Sequence, residues 1–221
     1  RLSPDATAKL AHEFDRVPLL YIADGHHRAA SASRAREEFR ERSDRTAGVA
    51  EYDYFLGVAF PASQVRILPY NRLVSDLGGR SADQFLFALK QRVTVSMDAP
   101  PPPAGRGEVS MYLGGRWYAL RLSSGDPAAA LDVTLLQDAV LAPLLGVRDV
   151  RIDPRIEFVG GIRGASALER AVDEGRAAVA FSLHPVAVED VMKFADADEI
   201  MPPKSTWFEP KLRDGLLIHE I

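Results

Sequence analysis

The chain has 221 residues, of which 47% are hydrophobic and 26% charged, with a formal net charge of −4 and no cysteine. That composition supplies one large core or two small ones, and it excludes disulfides, thiolate metal sites and thiol nucleophiles. The charge balance excludes a strongly basic nucleic-acid footprint, so nucleic acid is not an expected partner. No apolar run approaches the roughly 18 residues that span a bilayer and no signal peptide is visible, so no membrane partner is expected and the cytoplasm is the expected compartment. The sequence opens on Arg1-Leu2-Ser3-Pro4, which reads as a fragment whose missing amino-terminal region would be its partner.

Residues 5–15 predict a helix with Ala6, Leu10 and Phe14 along one weakly apolar face. The run 17–23 (VPLLYIA) predicts a short strand. Asp24 then reads as the N-cap of a helix over 25–42. On that helix Arg34–Glu38 and Glu38–Arg42 form i,i+4 pairs, so its charge run reads as a solvated face. Strands are predicted at 53–60 and 64–74, and a helix capped by Ser81 at 81–93, leading into Thr94–Met97. Prolines 100–103 with Gly105 and Gly107 make a loop. Residues 107–122 alternate around Gly114-Gly115 as a hairpin does. An amphipathic helix follows at 130–147, bent near Pro143. A strand at 155–161 precedes a helix from Ser166, where Ser166 and Glu169 suit a capping box. A strand at 177–185, a helix at 188–200 and a strand at 215–221 complete the chain. Interleaved helices, hairpins and strands imply a mixed α/β or α+β fold.

The stretch "YIADGHHRAASASR" (21–34) carries the chemistry. A helix start has backbone N–H groups without intrahelical partners and the positive end of the dipole, which together favour an anion. Gly25 lets a ligand approach the backbone, His26 and His27 can donate to phosphate oxygens, and Arg28 can grip a phosphate or carboxylate in two parallel bonds. Asp24 can cap the helix, orient a histidine, take a proton from an attacking hydroxyl, or hold Mg²⁺ together with substrate phosphate. Adjacent histidines point about 100° apart on a helix, so the pair does not suit one metal ion.

"ADGHHRAAS" resembles the phosphate-gripping motif of the ParB/sulfiredoxin superfamily: a strand, Gly-x-x-Arg-x-x-Ala, then a helix. Gly25, Arg28 and Ser31 stand in the fixed places, the last departing from Ala. The free serine kinases of that superfamily carry a similar Asp-Gly-His-x-Arg, matched by Asp24, Gly25, His26 and Arg28. The whole chain also looks like the carboxy-terminal half of a broad prokaryotic family of uncharacterised proteins, through "YIADGHHR" and "MPPKSTWFEPKL". The resemblance implies phosphotransfer on a small hydroxyl compound or its phosphate, with serine and phosphoserine foremost. It implies a small-molecule phosphate or nucleotide as partner, and ATP or ADP as cofactor. It also places a catalytic glutamate upstream, a role to which Glu13, the only glutamate before the motif, is not matched.

The second signature, "IMPPKSTWFEPKL" (200–212), lacks the glycines of a P-loop. Lys204, Ser205 and Thr206 nonetheless place a cation and two hydroxyls on a proline-stiffened stretch. They read either as completing the anion site or as part of a proline–aromatic clasp around Trp207-Phe208. "EFVGGIRGAS" (157–166) does not fit Gly-x-Gly-x-x-Gly and reads as a tight turn, although Arg163 is within reach of a phosphate. His184 reads as a structural histidine or, less simply, a general base.

These readings combine into an α+β fold in which a ParB/sulfiredoxin-like strand–helix phosphate motif packs with a second mixed-sheet region. The expected division is 1–75 and 76–221, or one continuous domain. The expected function is a phosphotransfer enzyme, kinase- or phosphatase-like toward serine or phosphoserine. Asp24 and His26 would be catalytic, and Gly25, His26, His27, Arg28, Lys204, Ser205 and Thr206 would bind phosphate or nucleotide. The alternatives are a ParB-like nucleotide-binding regulator and a ligand-binding domain without catalysis.

Overall fold

A computed structural model of the chain describes residues 2–42, 49–99, 101–122, 130–213 and 215–220. It divides into two compact units, Arg1–Ala59 with Leu212–Ile221, and Phe60–Lys211. No helix among the described residues is long and apolar enough to cross a membrane.

The Phe60–Lys211 unit is built on a six-stranded antiparallel sheet in the order β3-β5-β4-β7-β2-β6. Its strands are β2 (Tyr70–Val74), β3 (Thr94–Met97), β4 (Glu108–Leu113), β5 (Arg116–Arg121), β6 (Ile156–Gly160) and β7 (Val179–Leu183). A separate pair joins β1 (Arg66–Leu68) to β8 (Trp207–Glu209). The expected strand at 64–74 is therefore divided at Pro69, which has no N–H to offer a ladder. The 107–122 hairpin forms as its sequence predicts. Gly114 (φ 57°) and Gly115 (φ 80°) both take the left-handed conformation that a tight two-residue turn requires.

Alternation along the strands sorts two cores. Val74, Val109, Met111, Phe181 and Leu183 face the larger one, which α3 (Ala82–Lys90) covers with Phe85 and Leu89. A continuous helical stretch covers the rest: α4 (Asp132–Leu136), a π-helical turn (Gln137–Leu141) and α5 (Ala142–Leu145). Each such side chain contributes about 1.5–3 kcal/mol on leaving water. Tyr112, Ala180, Leu73 and Val159 face the smaller core, which α6 (Ala165–Asp173) closes with Leu168 and Ala171. Cover on both faces explains why β7 is buried at every position and reads as a continuous apolar run.

Two local features differ from what the sequence predicts. The disturbance expected near Pro143 is a π-turn just before it. Pro143 cannot donate to the Ala139 carbonyl, and Arg92 Nε does so instead at 3.1 Å. The Ser166–Glu169 capping box does not form: Gly164 (φ 68°) holds the N-cap of α6, and Glu169 accepts from Trp117 Nε1 at 2.7 Å. Ser81 caps α3 as expected, with Gln84 returning the bond. The remaining helix of this unit is α7 (Val188–Asp196).

In the other unit α1 (Pro4–Phe14) is capped by Ser3, and α2 runs from His26 to Arg42. Arg36 and Arg40 both reach Asp53, at 2.9 and 2.7 Å, and Phe39 stacks on Tyr52. The strands expected at 17–23, 53–60 and 215–221 do not form: 17–23 and 54–60 form no strand, and 215–220 is likewise irregular. Residues 51–53 make a single 3₁₀ turn. A strand exists only where a neighbour supplies ladder partners, and among the described residues none is laddered to these segments. Asp44 and Arg45 of the charge run, Pro100 of the proline loop and Ile221 fall outside the described residues.

Candidate functional site

The first candidate is the start of α2. Gly25 adopts φ +91°, a conformation that a side chain rarely takes, and its carbonyl accepts the first helical bond from Ala29 N–H at 2.9 Å. Gly25, not Asp24, is therefore the N-cap. Asp24 sits one residue earlier, and its Oδ1 accepts from the Gly25 N–H at 2.8 Å. The Arg28 side chain folds back over this glycine. A Cβ added at Gly25 would lie 3.1 Å from Arg28 Nη2 and 3.2 Å from Nε. The bare α-carbon is what allows the guanidinium to lie across the helix end.

Asp24, His26, His27 and Arg28 are all exposed, and Gly25 is half-buried. The first turn of α2 contains no acidic residue but does contain Arg28. This reverses the usual arrangement, in which carboxylates sit at the positive end of the helix dipole. Helix amides and the Arg28 guanidinium thus put donors and positive potential at this helix end, with the exposed His26 and His27 beside them on the same turn. An anion relieves that arrangement, and the neighbouring carboxylate of Asp24 offers a proton acceptor. Among the described residues no group of three His, Cys, Asp or Glu side chains is placed to hold a metal ion. One carboxylate at this position suits Mg²⁺ only in company with phosphate oxygens.

Residues 200–211 of the second signature lie in the Phe60–Lys211 unit. Lys204 is exposed with φ 55°, and its ammonium lies 5.3 Å from the Tyr70 ring centroid. Ser205 is buried, its hydroxyl donating to the Pro202 carbonyl at 2.6 Å, while Thr206 is half-buried. The aromatic part is a clasp. Phe208 is buried, and Trp207 packs so closely on Gly160 that a Cβ there would meet the ring at 2.5 Å.

The residue that organises this loop, Arg72 of β2, gave no signal in the sequence. It is 2% exposed, donates to the Tyr70 carbonyl and, at 3.1 Å, to the Lys204 carbonyl, and lies 5.1 Å over the Phe158 ring. Burial draws its pKa down to about 9, so it remains charged at neutral pH. An arginine in a strand usually points to solvent; here both faces of the strand are covered.

His184 is half-buried with Nδ1 3.3 Å from the Pro103 carbonyl oxygen. The buried Asp132 lies in the same region and accepts from Gly107 N–H at 2.8 Å. Burial raises the Asp132 carboxyl above the usual range. The space between them is about 10 Å³, room for a single water and not for a substrate.

Among solved structures the chain is similar to a free serine kinase in complex with AMP, at 14% identity and a TM-score of 0.45, covering 94% of this chain and 81% of that one. A variant of free serine kinase in complex with ADP aligns at 17% identity and a TM-score of 0.40, covering 85% and 66%. Another variant, in complex with AMP, aligns at 15% identity and 0.36, and there the chain spans 54% of the other's length. No curated protein sequence matches. Residues 2–135, more than half of the chain, match the family model described as "Protein of unknown function (DUF1015)", and the protein belongs to that family.

Proposed function

We propose that the chain is the phosphate-gripping part of a phosphotransfer enzyme acting on a small hydroxyl metabolite or its phosphate, with serine and phosphoserine as the leading pair. The observation that carries this reading is the cation-bearing, acid-free first turn of α2, with the Arg28 guanidinium laid over Gly25. In this role Gly25, His26, His27 and Arg28 hold the transferring phosphoryl group and neutralise its charge. Asp24 takes the proton of the attacking hydroxyl, or holds Mg²⁺ against the phosphate oxygens. ATP or ADP fits as the phosphoryl carrier.

The exposed apolar side chains of Leu19, Leu20, Ile22, Phe55 and Leu56 are surface that a further polypeptide segment of the same protein would cover. Such a segment is also where the upstream catalytic glutamate of the serine-kinase resemblance would lie.

The test is an assay of the full-length protein for serine-dependent nucleotide turnover and for phosphoserine hydrolysis. Arg28→Ala is expected to lower kcat/KM by roughly a hundredfold or more, the scale of losing a charge-stabilising donor. Activity that survives this change intact contradicts the assignment.

A further inference from the structure

A cavity of about 280 Å³ lies against the edge strand β6, on the face of the sheet that α6 covers. Leu73 of β2, which pairs with Glu157, and Val159 of β6, which pairs with Asn71, share the smaller core and contribute its apolar floor. Three arginines border it: Arg163 from the 3₁₀ turn before α6, Arg170 from α6 and Arg176 from the loop after it. Glu157 of β6 is the single carboxylate in the lining. Ala167 and Arg170, three apart on α6, lie on one helix face, and the 3₁₀ turn before Gly164 brings Arg163 to the same hollow. The small side chain of Ala167 leaves the space open.

All three arginines are exposed. Arg176 pairs with Glu174 at 3.3 Å, and among the described residues the Arg163 and Arg170 side chains make no ion pair or hydrogen bond. The turn that carries Arg163 is fixed, because Gly161 donates to the Pro69 carbonyl at 2.8 Å and a Cβ there would meet Pro69 at 2.7 Å. Three guanidinium groups around one hollow, in a chain of net charge −4, form a local positive site.

We infer that this cavity is a second anion site, separate from the α2 helix end, and that its ligand is a small organic phosphate bearing a hydroxyl or amino group. The guanidinium forks suit phosphate oxygens, Glu157 suits a donor on the ligand, and Leu73 and Val159 suit a short carbon skeleton. The volume matches one small metabolite. Its concavity and its carboxylate disfavour a nucleic-acid backbone.

The experiment is calorimetric titration of the full chain carrying Arg28→Ala with glycerol 3-phosphate, inorganic phosphate and a DNA duplex. Arg28→Ala weakens the α2 site and leaves the lining of this cavity untouched, so failure here is distinguishable from failure of the proposed function. Glycerol 3-phosphate is expected to bind, with Arg163→Glu or Arg170→Glu each weakening it about tenfold or more. Glu157→Gln is expected to weaken glycerol 3-phosphate more than inorganic phosphate. The inference is overturned by absence of binding, by affinity indifferent to both charge reversals, or by binding of the duplex alone. Unchanged melting of the exposed-arginine variants confirms that a loss of binding is not a loss of fold.

Discussion

Gly25 decides the geometry of the α2 helix end through what it lacks. Gly25→Ala forces a side chain to φ +91° and sets a Cβ 3.1 Å from Arg28 Nη2. We predict a loss of about 1–2 kcal/mol, read by thermal or chemical unfolding, together with weaker phosphate binding as Arg28 is displaced. An alanine variant with wild-type stability and affinity contradicts the role given to this glycine. Arg72 presents a different balance, because its burial is costly while its two bonds to the Tyr70 and Lys204 carbonyls are valuable. Arg72→Ala opens a cavity and strands both carbonyls, and is predicted to cost about 3 kcal/mol in denaturant unfolding. Arg72→Met, which keeps the volume, is predicted to cost clearly less. Equal losses for the two variants would show that packing plays no part. At this scale the sequence identified the residues of the helix end but misassigned the cap. Asp is the better capping side chain in isolation, whereas glycine takes the φ of +91° found here with the least strain. Arg72 was not legible at all, since alternation along a strand does not say that its outer face is covered.

Elements whose determinants are local are the ones the sequence specifies well. The Gly114-Gly115 hairpin and the Ser81–Gln84 cap of α3 depend on residues a few positions apart, and both form. The unformed strands at 17–23 and 54–60 depend on neighbours that the pattern cannot name. The same holds for the Arg36–Asp53 bond, whose partners are 17 residues apart and which makes part of the apparently solvated α2 face a tether. Of the anticipated pairs on that face, Glu38–Arg42 forms at 2.6 Å, whereas Arg34 turns to Ser31 at 3.0 Å. The Arg36 bond, followed by the Ala50 N–H, holds the Asp53 carboxyl below its ordinary value of 3.8. A depressed carboxylate stabilises the fold above its unfolded pKa and loses that contribution as pH falls through the lower, folded value. The protection of α2 amides, taken relative to the intrinsic exchange rate at each pH, is therefore predicted to fall on acidification below about pH 4, and Asp53→Asn to remove most of that pH dependence. An identical acid profile in the variant would contradict the tether. Gly160→Ala tests the clasp in the same way. Its Cβ would meet the Trp207 ring at 2.5 Å, an overpacking predicted to cost about 1–3 kcal/mol.

At the scale of the molecule the two units differ in how much they bury. The Phe60–Lys211 unit holds both cores, whereas none of the described residues from 2 to 59 is buried. Amides of β2, β4 and β7 are predicted to exchange most slowly, and those of α1 and α2 faster by orders of magnitude. Uniform protection across the chain would contradict this division. The α+β class followed from the order of elements. The sheet order and the placement of Lys204 on an arginine-held loop did not, because they arise from pairings distant in sequence. The central claim is that the start of α2 grips phosphate oxygens, and backbone amide NMR of the full chain titrated with ATP tests it most directly. The account predicts that the signals of Gly25, His26, His27 and Arg28 move with saturating nucleotide and that Arg28→Ala abolishes the movement; signals that stay in place while nucleotide binds elsewhere, or does not bind at all, would contradict it.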